Sequence, residues 1–431
     1  MQYNEKGHLL FGGIDTIQLS KKYGTPLFVY DVEKIRKNAQ SFKEAFRELG
    51  IKGKIAYASK AFSSIAIAEI MAEEGLYLDV VSKGEMYTAL AANFPPENIH
   101  FHGNNKSYEE LEMAINNNLG CIVVDNFHEL KLIEGILNQT KKEINVMLRV
   151  TPGVNVDTHK YIVTGSEDSK FGFYMRDDQI DKAFHYILNS PKIHLLGLHF
   201  HIGSQLFEVK QYLDSLTIVM DKIAIWHKET GYIPSVINIG GGFGIQYTSE
   251  DHPKKPKYYL ENIFRKLKDQ ASEIGIPLPE LWIEPGRSIV GDTCITLYEI
   301  GSIKNIPGVR KYVSVDGGMT DNIRPALYDS KYEGIIANKA NESPTEEVAI
   351  AGKCCESGDM LIHNLPVPKV EPGDILALFS TGAYGYSMAN HYNRFPKPAV
   401  VFIENKKDVL VIKRETYKDT VKNDLSYKGI K

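Results

Sequence analysis

Side chains that could do chemistry follow three of the short apolar runs in this sequence. Lys60 directly follows one run, the sequence GGGFG (240–244) ends another, and EPGR (284–287) ends a third. A lysine desolvated at the end of an apolar strand can form a Schiff base. A glycine-rich turn between a strand and a helix can present backbone N–H groups to a phosphate. A carboxylate such as Glu284 can hold a ring nitrogen protonated.

Each of these features also has an ordinary structural explanation. A lone lysine is most often a solvated surface group, a glycine-rich run is often a simple loop, and Glu284 would serve equally well in a structural salt bridge. His199 and His201 lie two apart and so point to one face of a strand. We expect His199 one layer deeper, as a core residue, and His201 nearer the ligand. Together, the lysine, the phosphate cradle and the acid are what pyridoxal phosphate (PLP) requires.

The elements that must position these groups are eight apolar runs that alternate with helical stretches. Near-continuous apolar strands between helices indicate a parallel sheet covered on both faces. Eight βα units over ~250 residues predict a (β/α)₈ barrel, with an open doubly wound sheet as the alternative, and chemistry in a barrel collects where the strands end. The predicted strands are Ile55–Ser59, Leu78–Ser82, Ile99–Gly103, Cys121–Asp125, Val146–Val150, Leu195–Gly203, Val236–Gly240 and Leu281–Glu284.

After Pro285 the pattern changes to β-rich runs separated by glycine, proline and charged turns, which predicts a mostly antiparallel β domain, either a sandwich or a barrel. We expect a PLP-binding barrel over residues 31–284 and a β domain built from residues 1–30 and 285–431. The Lys-rich tail from Lys406 is expected to be a solvated end. The predicted β-domain strands are Pro26–Tyr30, Ile295–Ile300, Lys311–Val315, Glu347–Gly352, Ile375–Phe379 and Ala399–Ile403.

The composition is that of an ordinary globular protein and excludes disordered and coiled-coil chains. The 431 residues carry a formal net charge of −4, with 43% hydrophobic and 24% charged residues. This balance argues against a nucleic-acid binder. The absence of a signal-like start and of an apolar run of ~20 residues predicts a cytoplasmic protein without a membrane segment. The four cysteines form no CxxC, so neither a disulfide scaffold nor a metal site is expected.

The chain resembles the PLP-dependent decarboxylases with an alanine-racemase-type barrel, which act on basic amino acids. It is most similar to the branch that acts on diaminopimelate, over nearly the whole chain. One departure is Phe62, where relatives often carry a polar residue. The matching blocks are YASKA (57–61), HFHIGSQ (199–205), INIGGGFG (237–244), EPGR (284–287), CCESGD (354–359) and GAYGYSM (382–388).

This resemblance implies PLP as the cofactor, bound covalently by Lys60, with His201 stacked on its ring and Glu284 at its pyridine nitrogen. The implied reaction converts meso-2,6-diaminopimelate to L-lysine and CO₂, the final step of lysine biosynthesis, through a PLP external aldimine and quinonoid. The other implied cofactor-binding residues are Asp79, Ser204, Gly240, Gly241, Gly242, Pro285, Gly286, Arg287 and Tyr384.

The resemblance also assigns residues outside the barrel. Cys355 would donate the proton to the α-carbon, and it would come from the partner protomer, so a homodimer would complete the site. Cys354 is expected to be a small buried hydrophobe. Lys170 and Asp359 occupy positions where relatives form a salt bridge between subunits.

Substrate choice is expected to depend on the far end of the pocket. The resemblance places Glu356 at the distal ammonium, and Arg324 with Arg287 at the distal carboxylate, which an arginine fork can bind in a bidentate way. Tyr328 and Tyr384 would complete the pocket.

Four alternatives to a diaminopimelate substrate can be ranked. Ornithine or arginine decarboxylation is disfavoured because these substrates lack the distal carboxylate. Carboxynorspermidine, a precursor in polyamine synthesis, carries a carboxylate remote from the amine and is excluded less firmly. A non-catalytic relative is disfavoured because Lys60 and Cys355 are both present. A racemase is disfavoured because it would use a tyrosine base. From its length and polar content, the loop 154–169 is a candidate lid.

Overall fold

The computed structural model describes residues 2–154 and 169–429, so the candidate lid lies almost entirely outside the described residues. The chain forms two compact units. The β unit comprises Met1–Ile35, Gln246–Asp251 and Val290–Lys431, and the barrel unit comprises Arg36–Ile245 and His252–Ile289. Among the described residues, no helix combines the length and apolar character that a bilayer crossing requires.

The strands and helices of the described residues are numbered in chain order. The strands are β1 (Gln2–Tyr3), β2 (Leu9–Phe11), β3 (Ile14–Asp15), β4 (Leu27–Asp31), β5 (Ala56–Ala58), β6 (Tyr77–Val80), β7 (Ile99–Phe101), β8 (Cys121–Val124), β9 (Ile144–Thr151), β10 (Phe173–Tyr174), β11 (Ile193–His199), β12 (Val236–Asn238), β13 (Glu280–Trp282), β14 (Cys294–Ile306), β15 (Arg310–Val315), β16 (Gly334–Ile336), β17 (Glu346–Ala351), β18 (Met360–Val367), β19 (Ile375–Phe379), β20 (Ala399–Glu404) and β21 (Lys407–Ile412). The α-helices are α1 (Thr16–Tyr23), α2 (Val32–Leu49), α3 (Ile65–Glu73), α4 (Lys83–Ala91), α5 (Tyr108–Asn116), α6 (Phe127–Asn138), α7 (Gln179–Leu188), α8 (Lys210–Thr230), α9 (Pro256–Ile274), α10 (Arg287–Val290), α11 (Arg324–Tyr328) and α12 (Tyr417–Val421).

The barrel unit is a ring of parallel strands in the order β5–β6–β7–β8–β9–β11–β12–β13. A parallel bridge between Ile55 and Ile283 joins its two ends. The prediction of a (β/α)₈ barrel is therefore confirmed, and the alternative of an open sheet is wrong. The short strand β10, which pairs parallel with β9, was not predicted from the sequence. Alternate residues of the strands fill the core, where Cys121, Val123 and Trp282 pack together.

The turns that lead from strand ends into helices are fixed by capping side chains. Ser64, Ser82, Ser107 and Asn126 precede α3, α4, α5 and α6, and each accepts a hydrogen bond from the backbone N–H three residues later. Such a cap satisfies one of the free N–H groups in the first helical turn and is typically worth ~1 kcal/mol. The rim of the barrel where strands end is thereby built from short, defined turns.

The β unit contains a sheet in the order β18–β17–β15–β14–β4–β20–β21, in which β19 also pairs with β14 and with β16. Its pairings are antiparallel except for β15 with β17 and β4 with β20, so the prediction of a mostly antiparallel domain is confirmed. The N-terminal strand β4 lies between β14 and β20, as expected for a segment that joins this domain. The remaining strands, β1 to β3, form a small separate sheet.

The tail differs from the expected solvated end, because β21 pairs antiparallel with β20. Asn405 and Lys406 connect the two strands, and both have positive φ angles, 51° and 57°. Two successive left-handed residues give the hairpin turn whose twist matches that of the flanking strands. The lysines around Val409 and Leu410 masked this strand in the sequence, since most of its side chains remain accessible on an edge.

Candidate active site

The barrel residues that the sequence singled out lie where the strands end. Lys60 lies in a single helical turn, Ser59–Ala61, directly after β5, and Asp79 lies within β6. His199 ends β11 and His201 follows it, while the glycine turn follows β12. The segment Glu284-Pro285-Gly286-Arg287 follows β13, and Arg287 begins α10.

The carboxylate of Glu284 is the centre of a buried hydrogen-bond network. Its Oε1 accepts from Asn238 Nδ2 at 2.6 Å and lies 3.1 Å from His102 Nε2, and its Oε2 lies 3.0 Å from His199 Nε2. Burial alone would raise the pKa of Glu284, but His102 and His199 outweigh it and hold that pKa well below its ordinary value. An ionised carboxylate has about four acceptor positions, so the hydrogen bonds from Asn238 and His199 leave an acceptor position on Oε2 for a further donor.

His199 is both a core residue and a neighbour of the site. Burial lowers the pKa of His199 to about 4, so the imidazole is neutral at pH 7 and donates to Glu284 through Nε2. Its ring contacts the His102 ring edge to face, with centroids 4.8 Å apart. The expectation of a deeper histidine therefore describes its burial but misses its role in orienting the carboxylate.

His102 and Asn238 also belong to this network, although neither was predicted from the sequence. His102 lies two residues after His100, just past β7, which is the same spacing as His199 and His201. That repeated spacing was the available signal. Asn238 gave no comparable signal, because a single amide at the end of an apolar strand is an ordinary capping residue; here its Oδ1 also accepts from the N–H of Gly240 at 2.9 Å.

Burial shifts the pKa values of two other ionisable groups of the rim, Asp79 and His201. Burial raises the pKa of Asp79, and the charges of His102 and Lys60 only partly offset this. His201 Nδ1 accepts from the backbone N–H of Gly241 at 3.2 Å, so Nδ1 carries no proton. Burial, with the charges of Lys60 and Arg149, lowers the pKa of His201 well below its ordinary value. The imidazole is therefore neutral.

The glycine turn brings bare backbone against the neighbouring strand ends. Gly240 and Gly242 have φ angles of +69° and +107°, which L side chains rarely adopt. A Cβ on Gly241 would lie 2.2 Å from the carbonyl oxygen of Glu284. Near this turn, Arg287 Nε and Nη2 donate to Ser204 Oγ at 3.2 and 2.9 Å. Backbone N–H groups, a hydroxyl and a guanidinium together suit a phosphate.

Replacing Gly241 by alanine should destabilise the barrel rim and weaken PLP binding. The new Cβ would overlap backbone atoms that cannot rotate away, so we expect unfolding free energy to fall by about 2–3 kcal/mol. Denaturant unfolding and PLP titration measure the two effects. The matched control is Gly135→Ala in α6, where nothing lies within 4 Å of the added Cβ, and this variant should gain up to about 1 kcal/mol. Wild-type stability and PLP affinity in Gly241→Ala would contradict the close approach.

The remaining predicted site residues lie in the β unit. Arg324 and Tyr328 begin and end α11, and Arg324 is only 6% exposed. Glu356 is exposed, and its Oε1 accepts from the N–H of Gly358 at 3.3 Å. Tyr384 is half-buried, with a positive φ of 61°.

Cys355 is an exposed thiol on a turn whose backbone is held from two sides. Its N–H donates to Asn393 Oδ1 at 2.8 Å, and its carbonyl oxygen accepts from the hydroxyl of Tyr392 at 3.2 Å. Cys354 is half-buried, and burial raises the pKa of its thiol to about 11. The two adjacent cysteines therefore have different environments, and Cys355 is the accessible one.

The two residues of the predicted cross-subunit pair differ in exposure, since Asp359 is buried and Lys170 is exposed. The Asp359 carboxylate is buried, and its two oxygens accept from the N–H groups of Met319 and Cys354 at 2.6 and 2.8 Å. Lys170 is exposed, with Nζ 5.0 Å from the centroid of the Phe171 ring. The salt bridge between them stays a prediction.

The rim fits PLP better than it fits a metal ion. Glu284 retains an acceptor position for a pyridinium N–H, the glycine turn suits the phosphate, and Lys60 offers an amine. His102, His199 and Glu284 also place three potential ligand atoms within 4.8 Å of one another. However, the imidazoles already contact the carboxylate at hydrogen-bond distance, and an ion would have to displace those contacts.

Comparison with known proteins identifies the class first. A family model described as "Pyridoxal-dependent decarboxylase, pyridoxal binding domain" matches residues 32–291, which include the whole barrel and its rim. The protein is thus a PLP-dependent decarboxylase, and the cofactor expected from Lys60, the glycine turn and Glu284 is confirmed.

Two related proteins and one solved structure identify the family within this class. The chain is 56% identical to diaminopimelate decarboxylase of Bacillus subtilis, covering 99% of this chain and 98% of that one, and 58% identical to that of Bacillus methanolicus, covering 96% and 95%. The crystal structure of diaminopimelate decarboxylase from M. jannaschii in complex with L-lysine superimposes with a TM-score of 0.92 at 36% identity, covering 99% of this chain and 98% of that one. The chain belongs to the diaminopimelate decarboxylase family.

Proposed function

We propose that this protein decarboxylates meso-2,6-diaminopimelate to L-lysine and CO₂ as the final step of lysine biosynthesis. The observation that carries this choice of substrate is Arg324, a buried cation for which the described residues provide no carboxylate partner. A substrate with a second carboxylate supplies that anion, whereas ornithine and arginine do not. A site built to pair a polar group can reject analogues that lack it by ~10⁴. The lysine bound by the M. jannaschii relative supports the assignment.

Different residues of the barrel would hold different parts of the cofactor. When bound, PLP supplies an electron sink for the electron pair that remains after CO₂ leaves. Lys60 provides the amine for its covalent attachment. Glu284, which lies beside His102 and accepts hydrogen bonds from His199 and Asn238, would keep a proton on the pyridine nitrogen, because an ionised carboxylate favours a positively charged partner.

The neutral His201 imidazole would stack on the cofactor ring without adding a competing charge. Asp79 would be a further residue that holds the cofactor. The turn Gly240–Gly242, Ser204 with Arg287, the backbone at Pro285 and Gly286, and the hydroxyl of Tyr384 would bind its phosphate.

Residues of the β unit act on the substrate. Cys355 donates the proton that replaces CO₂ at the α-carbon, and its exposure in the single chain is compatible with a place in a partner's site. Glu356 pairs with the distal ammonium, Arg324 together with Arg287 of the barrel unit binds the distal carboxylate, and Tyr328 and Tyr384 complete the pocket. The homodimer, the cytoplasmic location and the domain bounds at residues 31–284 stay predictions.

The test is CO₂ release by the PLP-loaded protein from four substrates side by side. We expect a strong preference for diaminopimelate over ornithine and arginine, with lysine appearing in equal amount. A preference for carboxynorspermidine would keep the cofactor and mechanism but move the protein to polyamine synthesis. No release from any of the four, with PLP bound, would contradict an enzymatic function on these substrates.

A further inference from the structure

The guanidinium of Arg324 lies in a corner formed by two buried tyrosines. Its Nη1 donates to the hydroxyl of Tyr332 at 2.5 Å. Its Cζ lies 4.9 Å from the centroid of the Tyr247 ring and 5.6 Å from that of the Tyr332 ring. The two rings meet edge to face, with centroids 5.4 Å apart and an interplanar angle of 84°. Their π-faces attract the cation from two directions.

This corner holds a charge that has no counterion within reach. Among the described residues, no carboxylate lies within 4.0 Å of the guanidinium, and Tyr332 supplies its one side-chain hydrogen-bond acceptor. Burial would lower the pKa of Arg324, but Tyr247 and Tyr332 raise it above its ordinary value, so the group stays charged. A guanidinium has five N–H donors, and buried charges are normally paired. The unused donors point to an anionic ligand.

The backbone around the corner limits how far the two rings can move. The N–H of Tyr247 donates to Asp251 Oδ2 at 3.0 Å, and the neighbouring Thr248 N–H donates to the same oxygen. Arg324 begins α11, which ends at Tyr328, and the next residue, Asp329, is in the left-handed conformation shortly before Tyr332. Both tyrosines are buried. These contacts hold the backbone beside both rings, and a corner that is held in place loses less entropy on binding a ligand.

We infer that Tyr332 and Tyr247 are positioning residues that hold the Arg324 fork for the carboxylate retained by the product. This inference rests on the proposed function. Diaminopimelate carries a carboxylate at each end, and CO₂ leaves from the end attached to the cofactor. The carboxylate of the product lysine is therefore the distal one, and Arg324 binds it in substrate and product alike.

Two inhibitors that differ by this carboxylate test the inference. L-lysine and 1,5-diaminopentane share the five-carbon diamine chain, but the latter has no carboxylate. In Tyr332→Phe the ring stays and the hydroxyl is lost. We expect the inhibition constant of lysine to rise about tenfold and that of the diamine to change by less than about twofold, the difference corresponding to one hydrogen bond to a charged group. KM for diaminopimelate should rise with kcat nearly unchanged.

Two further variants separate the ring from the hydroxyl. Tyr247→Leu removes the π-face beside Arg324 and should weaken inhibition by lysine but not by the diamine. Tyr247→Phe keeps that face and should weaken inhibition by lysine less than Tyr247→Leu does. Tyr186→Phe is the matched control, because it deletes a hydroxyl on α7 that bonds to Glu134. It should bind both inhibitors as the wild type does.

The outcomes distinguish this inference from the proposed function. If Tyr332→Phe weakens inhibition by lysine and by the diamine equally, or weakens inhibition by neither, Tyr332 does not position Arg324 for a carboxylate and the inference is overturned. If the wild-type protein releases no CO₂ from diaminopimelate, the proposed function fails instead, whatever the inhibitors show.

Discussion

Lys60→Ala should lower kcat/KM for diaminopimelate by at least about 10³-fold, because removing a covalent catalytic group abolishes the step that depends on it. Lys60 lies in a half-buried single turn at the end of β5, so alanine fits there without disturbing the barrel. We therefore expect the variant to fold with normal stability. CO₂ release and thermal unfolding, measured on the same preparation, separate loss of chemistry from loss of structure.

Covalent attachment of the cofactor gives a second, direct measurement. After borohydride reduction the wild-type protein should gain the mass of one reduced PLP group, located by peptide mapping at Lys60, and Lys60→Ala should gain none. Lys131→Ala, which removes an exposed lysine on α6, is the control and should retain both the label and the activity. Substantial decarboxylation by Lys60→Ala would contradict the assignment.

Glu284→Gln should reduce both activity and stability. Glutamine has one acceptor oxygen and an NH₂ group in place of the two oxygens that accept from Asn238 and His199, so at least one buried donor loses its partner. Breaking a buried charged network of this kind lowers the unfolding free energy by about 3 kcal/mol. In its proposed role the carboxylate would hold a proton on the pyridine nitrogen, so its removal should lower kcat ~10²-fold or more.

The stability loss in Glu284→Gln should depend on pH in a defined direction. A carboxyl group whose folded pKa is lowered stabilises the protein above its unfolded pKa of about 4.3, and that contribution disappears as pH falls through the folded pKa. The difference in unfolding free energy between wild type and variant should be largest near neutral pH and shrink in acid. Glu280→Gln, at the exposed start of β13, is the control and should show neither effect. A constant difference across the pH range would argue against an ionised Glu284.

The barrel could be predicted because each strand is a near-continuous apolar run followed by a chemically distinctive turn. Runs such as Cys121–Val124 are buried along their whole length, as parallel strands covered on both faces must be. Two strands could not be predicted, because they are defined by pairing with a neighbouring strand and not by their own residue composition. β10 has two residues and depends on β9, and β21 is an edge strand of a charged hairpin.

The location of the candidate site could be predicted where a single residue of distinctive chemistry follows an apolar strand. Lys60, the glycine turn and Glu284 do so, because each has an unusual residue type after an apolar run. The network around Glu284 could not be derived, since His102 and Asn238 reach it only after the barrel brings distant strands together. The same holds for Tyr247 and Tyr332, whose contact with Arg324 leaves no trace in residue spacing.

Closure of the barrel ring has a consequence for how the protein is made. The bridge between Ile55 and Ile283 makes β5 and β13 neighbours, although Lys60 and Glu284 are more than two hundred residues apart in the chain. A ribosome that adds 5–20 residues per second needs roughly 10–45 s to pass from one to the other. Throughout that interval the nascent chain carries the amine without the carboxylate and its network. With the proposed roles of Lys60 and Glu284, the complete cofactor site forms only after the last strand of the ring has been synthesised.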